Sequence, residues 1–244
     1  MMRTSGQAVS LTLAWLTLLQ LGPASSAGGV DNPPLQPAVK NPTPTAEVVA
    51  AVARGRDLRN AGDFAGGRAA FDEALAKARA TKDVAGEALA LNNIASVFRY
   101  EAGLTLITAN QNPAADVMDK SAELYEQALR AARAAGDKTD EAYATLYLGV
   151  LAAGRGDPDK AFKCYFEALE TYKALDNRYY IARTLMFMGS TTLYRRQKAE
   201  ASLKYFESAL PMFRDVKYWH EAQSVIEDMN VAYEQLKAEA NRRP

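Results

Sequence analysis

Four stretches of this chain are versions of one another: AAFDEAL at 69–75, ELYEQAL at 123–129, KCYFEAL at 163–169 and YFESAL at 205–210. Their shared alanines, Ala74, Ala128, Ala168 and Ala209, are spaced 54, 40 and 41 residues apart. Self-similarity at a period of 20–50 residues is the mark of stacked repeats, each too small to bury its apolar face alone. Such an architecture builds an extended surface.

The unit around 141–175 shows its parts most clearly. Glu141 to Ala153 (EAYATLYLGVLAA) carries apolar residues at helical spacing. Gly154-Arg155-Gly156-Asp157-Pro158-Asp159 reads as a turn, with Asp157 the N-cap and Pro158 the first helical residue. A second helix follows from Lys160 to Leu175. Gly149 in the first helix is followed 12 residues later by Ala161 in the second, then by Tyr165 and Ala168 on the same helical face. The order small, small, aromatic, alanine suits an antiparallel hairpin, with small residues where the helices cross and an aromatic filling the gap. It recurs as Gly55, Gly67, Phe71 and Ala74, and as Gly189, Ser202, Phe206 and Ala209.

The second unit departs from this. Ala95 to Ser121, the counterpart of Gly149 to Ala161, spans 26 residues, a surplus of 14 that accounts for the 54-residue spacing. Asn112-Pro113 reads as a helix start, so the economical account lengthens both helices into an extended hairpin around 104–120. Leu104, Leu106, Ile107, Val117 and Met118 near its tip either pack on one another or meet a partner or a second copy.

The ends differ in kind. Arg3, the apolar run Val9–Leu21 and the small residues Ala24-Ser25-Ser26-Ala27 have the pattern of a cleavable secretory signal over 1–27. At 13 residues this mostly apolar run is shorter than the ~20 a spanning helix needs. Five prolines in 28–45 make that segment a solvated, disordered linker. The repeat domain is then 46–244, closed by a helix over Glu221–Ala240 that covers the open end of the stack. The expected product is exported, periplasmic or secreted, with no membrane anchor after cleavage.

These hairpins resemble tetratricopeptide repeats over about 48–236, in the longer form similar to kinesin light chains and to bacterial multi-repeat proteins. Glu87 to Arg99 (EALALNNIASVFR) carries the kinesin light chain likeness. The resemblance implies an all-α fold, an α-solenoid of about four hairpins plus a C-terminal capping helix. It also implies that the first helix of each hairpin lines a concave surface that holds an extended peptide or partner segment. At i, i+4, i+7 spacing, the exposed stripe expected there is Val52, Arg56 and Arg59, then Asn92, Ser96 and Arg99, then Tyr143, Leu146 and Val150, then Arg183, Met186, Ser190 and Leu193. Asn92 matches an asparagine that bonds a peptide backbone in kinesin light chain-like units. Arg56, Arg59 and Arg99 suit the carboxylates of an acidic segment. Alternatives to a partner-binding scaffold are self-association through the 104–118 hairpin, giving a homo-oligomer, or regulation of a separate enzyme.

Composition narrows the chemistry. The chain has 29 basic and 29 acidic residues, and loss of 1–27 removes only Arg3, so clustered positive charge for nucleic acid is absent. Cys164 is the single cysteine and His220 the single histidine. That excludes an internal disulfide and leaves a zinc site without ligands. No nucleophile elbow or phosphate-cradling loop occurs. The expectation is a non-catalytic protein with no cofactor and no metal.

Overall fold

A computed structural model describes residues 42–108 and 112–242, with side chains from 42–103 and 115–242. Among the described residues there are nine helices and no strand. They are α1 (Ala46–Asn60), α2 (Phe64–Thr81), α3 (Val84–Thr108), α4 (Asn112–Ala135), α5 (Lys138–Gly154), α6 (Pro158–Ala174), α7 (Arg178–Tyr194), α8 (Ala199–Asp215) and α9 (Trp219–Ala240). The fold is an all-α solenoid of helical hairpins, α1/α2, α3/α4, α5/α6 and α7/α8, with α9 closing the series. Residues 1–27, read as a signal, lie outside the described residues, as do the side chains of Leu104, Leu106 and Ile107.

Short polar residues start the helices. Asp63, Asp157 and Asn177 each accept a bond from the backbone N–H three residues on, at 2.8, 3.0 and 3.2 Å. Asp83 does the same for Gly86 at 2.8 Å. Each satisfies an amide that has no partner within its helix. Pro158 occupies the first turn of α6, as its missing N–H allows. Each described turn contains one left-handed residue: Gly62, Lys82, Gly136, Gly156, Asp176, Gln197 and Lys217. A single αL residue reverses the chain in two to four residues, which lets consecutive helices within a unit lie against one another.

The chain forms two compact units that divide within α5, between Leu148 and Gly149. In the first, α1 packs on α2, α2 on α3, and α3 along α4; α1 also touches α3, skipping a helix. α3 and α4 run 25 and 24 residues, against 15 and 18 for α1 and α2. Near the start of α4, Met118 is buried and Val117 half-buried. In the second unit, α6 packs on α7, α7 on α8 and α8 on α9, and α9 also reaches α7.

The hairpin crossings follow the sequence pattern. Phe71, Tyr125, Tyr165 and Phe206 occupy equivalent positions and are all fully buried, as are the four repeated alanines. In the first unit a Cβ on Gly55 would lie 2.5 Å from the Phe71 ring. In the second, a Cβ on Gly149 would lie 2.8 Å from Tyr165 and one on Gly189 2.5 Å from Phe206. Ala95 fills the same role in the long hairpin, where Ser121 Oγ donates to its carbonyl at 2.9 Å. Mid-helix glycine costs about 1 kcal/mol against alanine, so at these positions contact outweighs propensity.

Gly189→Ala should therefore destabilise, although it raises helix propensity. Overpacking against Phe206 is expected to cost about 1–3 kcal/mol. Thermal unfolding followed by circular dichroism should show the melting temperature lowered by several degrees. An unchanged or raised value would mean that the crossing has slack.

Candidate functional site

The first helices of the hairpins, α1, α3, α5 and α7, carry every residue of the expected stripe, and the structure changes its character. Arg56 is exposed and Tyr143 half-buried. The other eleven are buried: Val52, Arg59, Asn92, Ser96, Arg99, Leu146, Val150, Arg183, Met186, Ser190 and Leu193. Arg99 and Arg183 are among the largest fully buried side chains. The expectation of an exposed stripe thus fails for most of its members. The reason is geometric. An i, i+4, i+7 row on one first helix faces the first helix of the neighbouring hairpin, and long side chains there close over one another.

In the first unit this face is a polar seam. Arg59 Nη1 donates to Ser96 Oγ at 2.9 Å and its Nη2 to Asn60 Oδ1 at 3.3 Å. Its guanidinium carbon lies 6.0 Å from the Phe71 ring centroid and 5.6 Å from that of Tyr100. Burial lowers the proton affinity of Arg59, and the charges of Arg56 and Arg99 act in the same sense. Arg99 is sandwiched between the rings of Tyr100 and Tyr147, at 4.5 and 4.6 Å. Cation–ring contacts of this kind contribute about 0.5–2 kcal/mol each. Tyr147 stacks on Tyr125 at 5.7 Å and meets Tyr143 at 4.6 Å.

Adjacent residues of α3 hold the two groups closest to the surface. Asn93 Oδ1 accepts from Arg56 Nε at 3.0 Å. Asn92 Nδ2 donates to Asp140 Oδ1 at 3.0 Å and to the Asp140 carbonyl at 3.2 Å, while Asn92 Oδ1 is buried with no partner. The half-buried Asp140 carboxyl is pushed up to about 7, by desolvation first and by Asp137 second. The Asn92 bond and the Arg56 charge oppose that rise.

In the second unit the corresponding face joins α7 to α9. Arg183 forms a buried ion pair with Glu221 at 3.6 Å and donates to Tyr179 Oη, which bonds Glu221 in turn at 3.2 Å. Asp228 accepts from Ser190 Oγ at 2.6 Å and from Tyr194 Oη at 2.7 Å. Burial raises its proton affinity, against those two bonds. Met186 and Leu193 are buried with the core. Outside it, His220 is exposed, and the half-buried Cys164 thiol is pushed up by burial. Among the described residues no group of three or more acidic, histidine or cysteine side chains is placed to hold a metal ion.

Sequence reasoning missed the partners: Asn93, Tyr100, Asp140, Tyr147, Tyr179, Glu221 and Asp228. A signal for some of them existed. The seam bonds Arg56–Asn93, Arg59–Ser96 and Ser190–Asp228 span 37, 37 and 38 residues, just under one repeat. Pairing polar residues at that offset along the first helices would have found them.

Antiparallel hairpins, glycine-to-aromatic crossings and contacts between alternate helices define a helical repeat scaffold. Residues 140–215 match the tetratricopeptide repeat. The described residues carry the same hairpin on either side of that match; repeats of this kind form scaffolds for protein–protein interaction and are generally not catalytic. No curated protein matches the chain.

Two measurements probe the seam. Folded Asp140 holds its proton up to about pH 7, whereas an unfolded aspartate releases it near 3.8. The folded state therefore binds more protons across that window, and this stability is lost as pH rises through it. Asp140→Asn should flatten the fall in melting temperature between pH 5 and 8 and melt higher than wild type at pH 8. Glu221→Gln leaves Arg183 buried without its carboxylate and should cost about 3–5 kcal/mol by urea unfolding. A loss below about 1 kcal/mol would show that the pair is not needed to hold α9.

Proposed function

We propose that this is an exported, non-catalytic interaction scaffold that binds an extended segment of another protein on the first-helix face of its hairpins. The supporting observation is the surface that seam formation leaves over. Arg56 and Tyr143 reach solvent beside buried polar groups whose hydrogen-bonding capacity is not all used, among them Asn92 Oδ1. A peptide backbone offers both donors and acceptors to such a face. Of the stripe, Arg56 and Tyr143 would make direct contact. Arg59, Asn92, Ser96 and Arg99 would hold that surface in shape; Arg183 and Ser190 would brace the corresponding face of the second unit by itself. The leader-like pattern at 1–27 supports export, to periplasm or medium.

Site-specific photocross-linking tests this reading. A benzophenone amino acid replaces Tyr143 in one variant and the exposed Phe166 of α6 in another, and each is irradiated in cells of the source organism. The expected result is a cross-link to a different protein from position 143, absent from position 166, and lost when Arg56→Glu is added. Cross-links only to a second copy of the chain would overturn the reading in favour of self-association.

A further inference from the structure

The starts of α7 and α9 bring a row of aromatic side chains to one edge of the second unit. The Tyr179 ring centroid lies 4.9 Å from that of Tyr180, its neighbour on α7, and 4.3 Å from that of Tyr218, the residue before α9. Tyr180 stacks in turn on the buried Tyr172 at 4.8 Å, and Tyr179 meets the buried Phe213 at 6.0 Å, so the row is backed by core. Tyr179 directs its hydroxyl to the buried Arg183 and Glu221. Tyr179, Tyr180 and Tyr218 are each half-buried. Trp219 follows directly and is 64 % exposed, the most of any large apolar side chain described. A lone surface tryptophan needs no account; one that extends a supported row of three tyrosines makes an aromatic strip.

Such a strip suits proline. Extended proline-rich segments dock on aromatic surfaces because their conformation is fixed beforehand and little entropy is lost on binding. This chain carries one. Pro33-Pro34-Leu35-Gln36-Pro37 has the P-x-x-P spacing and lies outside the described residues. The end of the same proline-rich stretch is seated on the first unit. Pro42 and Pro44 are half-buried, Thr43 and Thr45 are exposed, and Thr45 N–H donates to Asp83 Oδ2 at 2.7 Å. Asp83 caps α3 with its other oxygen, so the point from which the preceding residues leave is fixed. Pro37 stands eight residues before Thr45. Fully extended, that length reaches about 26 Å, enough to carry the prolines beyond the surface they leave.

We propose that Tyr179, Tyr180, Tyr218 and Trp219 form a docking strip for the proline segment 33–37 of a second copy of this chain. Lys217, exposed two residues before Trp219, offers a charge to Asp31, two residues before Pro33, and this sets the direction in which the segment lies. The contact is head-to-tail. Strip and segment are different surfaces, so a copy that has docked still offers its own strip, and association can continue. The inference goes beyond the partner-binding reading and uses neither Arg56 nor Tyr143, so either can fail without the other.

Sedimentation velocity of the full chain over a concentration series tests it. Wild type should sediment faster as concentration rises. Two variants should each weaken this self-association about tenfold, the order expected for loss of an anchor residue. One is Trp219→Ala, at an exposed position and with helix content checked by circular dichroism. The other combines Pro33→Ala, Pro34→Ala and Pro37→Ala. Trp219→Phe should keep most of the association. Mixed in equal amounts, the two deficient chains should form a one-to-one complex, because one retains the segment and the other the strip. The apolar run Val9–Leu21 is the same in every variant and cannot produce these differences. Failure of the two to complement, or undiminished association of the proline variant, would overturn the inference. So would a wild type that stays monomeric at every concentration while a fluorescein-labelled peptide of residues 28–41 binds the proline variant, since the segment would then dock within its own molecule.

Discussion

The close approach of two helices within each hairpin is the constraint on which the rest of the structure depends. It is made possible by the absence of a side chain at Gly55, Gly149 and Gly189, and it is used at once by Phe71, Tyr165 and Phe206, whose rings occupy the space. Backbones that approach this far let one aromatic serve both its own hairpin and the next. Tyr165 shows this directly: it covers Gly149, and its hydroxyl lies 3.3 Å from Thr191 Oγ1 on α7. The hairpin crossing and the hairpin-to-hairpin contact thus share a side chain, so the spacing of one determines the other. Turns of two to four residues with one left-handed position follow from the same demand, since a longer connection would let the helices drift apart.

Once hairpins are stacked this tightly, the first helices are brought side by side, and their facing residues must find partners. Two solutions appear. The first unit uses neutral hydrogen bonds and aromatic rings around Arg59 and Arg99. The second uses acids, with Glu221 against Arg183 and Asp228 beneath Ser190 and Tyr194. Carboxylates with raised proton affinity occur in both units, at the half-buried Asp140 and the buried Asp228. Burying a charge is costly, and these two acids meet part of that cost by holding protons longer than an exposed aspartate would.

The fold was legible in the sequence because its causes are local and repeated. A small residue followed at a set interval by an aromatic and an alanine can be counted along the chain, as can Asp157 before Pro158. The site was less legible, for a physical reason. Helical periodicity identifies a face but not what covers it. The spacing of Asn92, Ser96 and Arg99 puts them on one face of α3; that this face meets α1 on one side and α5 on the other depends on how far neighbouring hairpins close. Arg56 escapes burial because its Nε is turned to Asn93 at the edge of the seam, a matter of one helical turn. The acids lying just under one repeat downstream decide the matter, Glu221 by pairing with the buried Arg183 and Asp228 by accepting from the Ser190 hydroxyl, and single-unit motifs do not include them.

The seam gives each hairpin an address. The hairpins repeat one crossing pattern, lengthened in the second, so the crossings alone do not fix their order along the chain. Their seam chemistries are not copies. If α9 were exchanged for α3 as the neighbour of α1, Arg59 would lose its serine and meet a glutamate or aspartate; α3 beside α7 would leave Arg183 with no acid and Ser190 with no carboxylate. A backbone that tolerates permutation is thereby tied to one sequence of units, and the chain can distinguish its own correct stacking from every misassembled alternative of equal shape.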